Sequence, residues 1–186
     1  MKILFLLLIS FNLFASPLDE FLKTTSFTAD FKQFNYDSQG ILIEKSLGFI
    51  KLKRPNHLLW HTKQPDEQIL TINPNAIWLY DVELEQASKQ NIKKIKNSPL
   101  YFLINGQAQQ KIIFSHTKNN INWYKKTNNG QFKIIYFGFD NQGLKQLKLI
   151  SENNILVVKF DEIKTNQSID DKVFELELPN NVDIIE

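Results

Sequence analysis

Between Lys111 and Ile163 five short strand-like segments follow one another without an internal repeat. Short segments at 111–117, 121–126, 132–139, 144–151 and 155–163 are rich in β-branched and aromatic residues. Asn119-Asn120, Asn128-Asn129-Gly130, Asp140-Asn141-Gln142-Gly143 and Glu152-Asn153-Asn154 separate them. These are tight-turn compositions. Connections this short cannot carry a crossover, so neighbouring strands must be antiparallel. The first half reads similarly. Phe27, Ala29 and Phe31 alternate with Thr28, Asp30 and Lys32, and 46–53, 58–62, 68–72 and 76–80 are strand-like, with Asn73-Pro74-Asn75 as a turn. Phe174, Leu176 and Leu178 share one face of a predicted closing strand at 174–178.

Helix signals are few. Ser16 suits an N-cap, Pro17 the first helical position and Asp19 the positive end, with Leu18, Phe21 and Leu22 on one face. A short helix to about Thr25 is predicted. Ser98-Pro99 opens a second one through the apolar run Leu100 to Ile104, and another short capped helix is expected over 168–173. The predicted fold is mainly β: one large antiparallel sheet, a barrel or half-barrel, with short helices over its apolar interior. Such a barrel has more interior than its side chains need fill, so an apolar cavity is expected.

Residues 1–15 read as a secretory signal peptide: Lys2, an apolar run from Ile3 to Phe14, then Ala15-Ser16-Pro17. The run is shorter than the roughly 20 apolar residues a bilayer core demands. Residues 16–186 are then one exported domain. Without Lys2, 21 basic residues face 20 acidic ones, a balance that argues against a nucleic-acid partner. The chain has no cysteine, which excludes disulfides, zinc–thiolate sites, a cysteine nucleophile and an acylated N-terminal cysteine.

No catalytic set emerges. His57 and His61 are four apart, which on a helix could place two metal ligands together, but a zinc protease would need a glutamate where Leu58 stands. On a strand they lie roughly 13 Å apart and cannot share a metal. There is no Gly-x-Ser-x-Gly elbow and no phosphate-cradling loop. Asp66-Glu67 and Asp170-Asp171 read as loop charge, Lys89 to Lys96 as a lysine-protected edge strand or loop. No metal or cofactor is expected.

Lys53-Arg54-Pro55-Asn56 followed by Trp60, then Gln64-Pro65-Asp66-Glu67-Gln68-Ile69-Leu70, Ile77-Trp78-Leu79-Tyr80-Asp81 and Leu84-Glu85-Gln86-Ala87 form a recognisable succession. It resembles the periplasmic outer-membrane lipoprotein carrier family, LolA. Phe27 to Gln33, Ser98-Pro99-Leu100, Gly143-Leu144-Lys145 and Pro179 to Asp183 agree with it. The resemblance implies an unclosed β-barrel whose helices form a lid over an apolar cavity. It implies a periplasmic chaperone, not an enzyme, and a monomer. Such a carrier takes acylated lipoproteins from an inner-membrane ATP-driven releasing complex and delivers them to the outer membrane, through a receptor where one exists. It also implies that Arg54 holds the lid closed over the empty cavity, with Pro55 restricting the backbone beside it. Candidate cavity residues are Phe49, Leu58 and Trp60 on strands and Leu100, Phe102, Leu103 and Ile104 on the lid. An acyl chain of roughly 16 carbons gains on the order of 10 kcal/mol on burial at about 0.8 kcal/mol per methylene, so a rigid open pocket would not release it. A cavity that closes on itself lowers the net affinity. The main alternative is a periplasmic sensor of lipid or lipoprotein built on the same half-barrel. The membrane-anchored receptor of the same fold requires an acylated cysteine, and an exported hydrolase requires a nucleophile–base set.

Overall fold

The computed structural model describes residues 15–95, 98–106, 112–127 and 130–185. The expected signal peptide therefore lies outside the described residues except for Ala15. Twelve strands form one sheet. They are β1 (Ser26–Asp37), β2 (Leu42–Lys53), β3 (His57–Gln64), β4 (Gln68–Ile72), β5 (Ile77–Asp81), β6 (Gln86–Gln90), β7 (Ile113–Lys118), β8 (Ile121–Thr127), β9 (Ile134–Asp140), β10 (Gly143–Ile150), β11 (Asn154–Thr165) and β12 (Asp183–Ile185). Their order is β12-β6-β5-β4-β3-β2-β1-β11-β10-β9-β8-β7, so the sheet is unclosed and the long central strands β1, β2 and β11 lie side by side. Of the barrel and half-barrel that the strand pattern left open, the chain forms the unclosed one that the resemblance implies.

Register places the apolar sets on one inner face. Phe31 lies opposite Phe160, Leu52 opposite Leu58, Leu58 opposite Ile72, and Leu147 opposite both Phe137 and Val158. Two short helices cover this face. α1 (Pro17–Lys23) is capped by Ser16, whose side chain accepts from the Asp19 N–H, and buries Leu18 and Phe21. α2 (Pro99–Asn105) is capped by Ser98 and buries Phe102, Leu103 and Ile104. The Phe21 ring lies 5.6 Å from Phe139, and Phe102 lies 4.6 Å from Phe137. Both helices are too short to persist alone. They stand because this face is buried beneath them.

The C-terminal region departs from expectation. Residues 175–178 pair with no strand. In place of the short helix expected over 168–173 stands a 3-10 turn, Asp171–Phe174, capped by Asp170. Phe174 is fully buried, but on the outer face, 5.2 Å from the His57 ring. Alternation correctly marks an inward side for this segment; it carries no information on hydrogen-bond partners. The chain then runs to β12, which pairs parallel to β6, so the sheet is not wholly antiparallel. β6 itself, Gln-Ala-Ser-Lys-Gln, has too little apolar content to announce a strand. Of the basic run, Lys89 lies in β6 over the Trp78 ring, Lys93 and Lys94 lie in a 3-10 turn, and Lys96 is outside the described residues.

Candidate functional site

α2 roofs a cavity of about 330 Å³. Trp60 and Leu70 form one wall, Leu147, Leu149, Leu156 and Val158 the other, and Pro99, Leu100 and Leu103 the roof. Gln33, Ser98, Gln131 and Phe132 complete it. The volume lies within the range of about 300–1,000 Å³ usual for ligand sites. The lining is aliphatic and aromatic, with polar atoms only at its margins. A wider depression of about 1070 Å³ runs over β1, β2 and β11. It is rich in charge (Asp30, Lys63, Glu162 and Lys164 line it), and Asp161 pairs with Lys32 at 3.7 Å and with Lys145 at 3.2 Å, which makes it a solvated trough. The hydrogen bond from Lys145 holds the Asp161 carboxyl below its usual pKa.

The turn after β2 ties the roof down. Arg54 Nε donates to the Leu103 carbonyl at 2.9 Å. Its Nη1 lies 2.7 Å from the carbonyls of Phe21 and Thr24 and 2.9 Å from Thr24 Oγ1. The guanidinium sits 4.6 Å over the Phe21 ring. Asn56, with φ of 64°, adds a backbone bond from its N–H to the Ile104 carbonyl at 3.1 Å. One cation thus joins the C-terminal ends of α1 and α2, where free carbonyls and the helix dipole both favour positive charge. No carboxylate takes part among the described residues. Burial pushes the Arg54 pKa down to about 10, which leaves it charged at neutral pH. Gly106 ends α2 in the left-handed region (φ 64°), and a Cβ there would stand 3.0 Å from Arg54 Nε. A side chain at 106 would meet both backbone strain and the Arg54 side chain.

The structure separates the candidate residues. Trp60, Leu100 and Leu103 line the cavity. Leu58, Phe102 and Ile104 face the same interior but pack in the core, at most 3% exposed. Phe49 stands on the opposite face. It is paired with His61 in register, its ring is 5.0 Å from that histidine, and Lys63 lies 5.0 Å above it. The period of two decides this: Ile50 faces in opposite Trp60, so Phe49 must face out. The histidines follow the same rule on the outer face. His57 Nδ1 is 2.7 Å from the Pro55 carbonyl and His61 Nε2 is 2.7 Å from Glu67. No cluster of three or more metal-ligating side chains occurs among the described residues. Sequence reading missed Leu70, Leu147, Leu149, Leu156 and Val158 as lining, although register across the predicted strands could have found them. It also missed α1 as a partner of Arg54, for which no local signal exists.

The comparisons with known proteins agree with this geometry. The family model of outer membrane lipoprotein carrier protein LolA matches residues 22–177. The chain belongs to the LolA family. Outer-membrane lipoprotein carrier proteins resemble it over most of their length. The one from Idiomarina loihiensis is 30% identical, covering 95% of this chain and 92% of that protein. The one from Pseudomonas aeruginosa is 29% identical, covering 88% and 83%. Among solved structures, a LolA superfamily protein from Nitrosomonas europaea superposes with a TM-score of 0.51 at 8% identity, covering 86% of this chain and 94% of that one. An uncharacterised conserved protein from Thermus thermophilus gives 0.59 at 10% identity, covering 90% and 94%. At such identities these two show the LolA fold alone. Within the LolA family match fall β1 to β11, α2 and Arg54.

Proposed function

We propose that the chain is a periplasmic lipoprotein carrier. Residues 1–15 direct export and are removed, and the domain 16–186 works as a monomer. Its cavity takes acyl chains of lipoproteins leaving the inner membrane and shields them from water on the way to the outer membrane. The observation that carries this reading is an aliphatic cavity roofed by a seven-residue helix, with that helix tied to the sheet by one arginine. Apolar walls supply affinity. The arginine supplies release: charge-assisted bonds of about 1.5–3 kcal/mol each favour the closed, empty state without locking it. Trp60, Leu100 and Leu103 contact the acyl chains, and Leu58, Phe102 and Ile104 hold the walls and roof in place. The cargo leaves chemically unchanged, and no metal or cofactor is needed. An ATP-driven inner-membrane complex loads the carrier, and an outer-membrane receptor, where one exists, unloads it.

Spheroplasts incubated with purified residues 16–186 test this. A soluble one-to-one complex with an intact triacylated lipoprotein is expected. Release of nothing, or release of deacylated cargo, would overturn the carrier reading.

A further inference from the structure

The two ends of the half-barrel differ in kind. At the end that holds Arg54, the reversals Arg54 to Asn56, Asn73 to Asn75, Asn119-Asn120 and Asn141-Gln142 carry only polar side chains apart from Pro55 and Pro74. The other end holds the reversals after β1, β3, β5 and β10. There the β1–β2 hairpin presents Ile41, Leu42 and Ile43, exposed by 60%, 49% and 61%. Leu84 in the β5–β6 turn and Phe114 near the start of β7 are 67% and 57% exposed at the same end. Phe132, Leu149 and Leu156 bring the apolar cavity toward this end, and Gln131 lines both the cavity and a depression bordered by Ile43 and Asn35.

The hairpin is built to hold those side chains out. Asp37 Oδ1 accepts from the N–H groups of Gln39 and Ile41 at 2.9 and 2.8 Å, and the Asp37 N–H donates to the Ile41 carbonyl at 3.0 Å. Gly40 supplies the positive φ of 85° that closes the turn. Behind the aliphatic tip, Tyr36 lies opposite Leu42 and stacks on Phe34 at 6.4 Å, and exposed Lys45 lies opposite Phe34. Aliphatic tip, aromatic ring, then ammonium is the order in which a lipid surface is layered from acyl region to anionic headgroups. A protruding tip suits a fluid lipid surface better than a protein, whose groove would have to match its shape.

We propose that the Ile41–Ile43 hairpin inserts shallowly into a phospholipid bilayer and turns the cavity end of the protein toward it. Lipid contact stands on the hairpin alone, while its use in handing over acyl chains rests on the carrier reading. The cysteine-free chain allows a direct test. Leu42→Cys, labelled with an environment-sensitive fluorophore, is mixed with vesicles of phosphatidylethanolamine and phosphatidylglycerol. The same label at Asn141→Cys reports the polar end. A blue shift at position 42, none at 141, and loss of vesicle flotation by about tenfold in the combined Ile41→Ser, Leu42→Ser, Ile43→Ser variant are expected. That variant should keep its thermal midpoint and still take lipoprotein from spheroplasts, but unload it into vesicles more slowly. No shift at 42, or flotation unchanged by the serines, overturns membrane contact. Unloading lost only in the presence of a protein receptor, with flotation unchanged, assigns the tip to a protein and overturns it equally. Failure of cargo uptake by the unmodified chain would instead strike the carrier reading and leave the flotation result standing.

Discussion

The sheet is covered on both faces, and the covers are attached in different ways. On the inner face, α2 lies over a void and α1 packs on the core beside it, and their C-terminal ends are joined by Arg54. On the outer face, the C-terminal segment packs against β3 and the β4–β5 turn. Phe174 fills the space against His57, Asn73 donates to the Phe174 carbonyl at 3.4 Å, and Tyr80 and Ala87 are buried on that face. The two attachments start from neighbouring residues. Lys53 reaches outward, bonding the Ile169 carbonyl at 2.9 Å and Asp171 at 2.7 Å, while Arg54 reaches inward. A cover held by packing is cooperative with the fold. The inner cover is packed as well, but its roof spans a cavity and hangs on one arginine, so local opening is the expected behaviour there.

The largest break in this comparison should come from Phe174→Ala. Removing a fully buried ring costs about 3–5 kcal/mol, read as a lower urea midpoint for the whole domain. A loss confined to the C-terminal segment would show that the outer cover is also a separate lid. Arg54→Leu should act locally. Amide exchange at Gly106, whose N–H bonds the Phe102 carbonyl, should quicken by about tenfold or more, since one charge-assisted bond exceeds 1.4 kcal/mol. The C-terminal segment should be unaffected. The variant should accept lipoprotein and transfer it poorly, and normal transfer would remove Arg54 from the release step. Acid should have the smallest effect, on the outer cover alone. Hydrogen bonding from Lys53 holds the Asp171 carboxyl below its ordinary 3.8. Its contribution is therefore complete above that value and fades as pH falls through the lower folded value. Asp171 is largely in water, so the change should be slight, seen as faster proteolysis of the C-terminal segment as pH falls below the ordinary carboxylate range with wild type but not with Asp171→Asn.

The inner face was the more legible of the two. Phe27, Ala29 and Phe31 show their alternation directly, and Ser98-Pro99 marks the start of α2 to the residue. These signals are local, so one sequence carries them. Phe49 shows the limit: an apolar residue on a strand has two faces to choose from, and only the partner's register decides. The outer cover was illegible for a different reason. Phe174, Leu176 and Leu178 read as a strand because extended chain alternates whether or not it is hydrogen-bonded, and β12 is three residues long. The Arg54–α1 contact joins residues about thirty positions apart through backbone carbonyls, which every residue possesses.

The sheet has two free margins, β7 and β12. A closed barrel has a circumference fixed by its strand count and stagger, so its bore can change only by rupture. An open one behaves like a cupped hand. A few degrees of extra twist shared across the strand interfaces widens or narrows the bowl with every backbone hydrogen bond retained. If the carrier reading holds, acyl chains of different length and number would then be gripped by one wall, with the size of the space set by its contents.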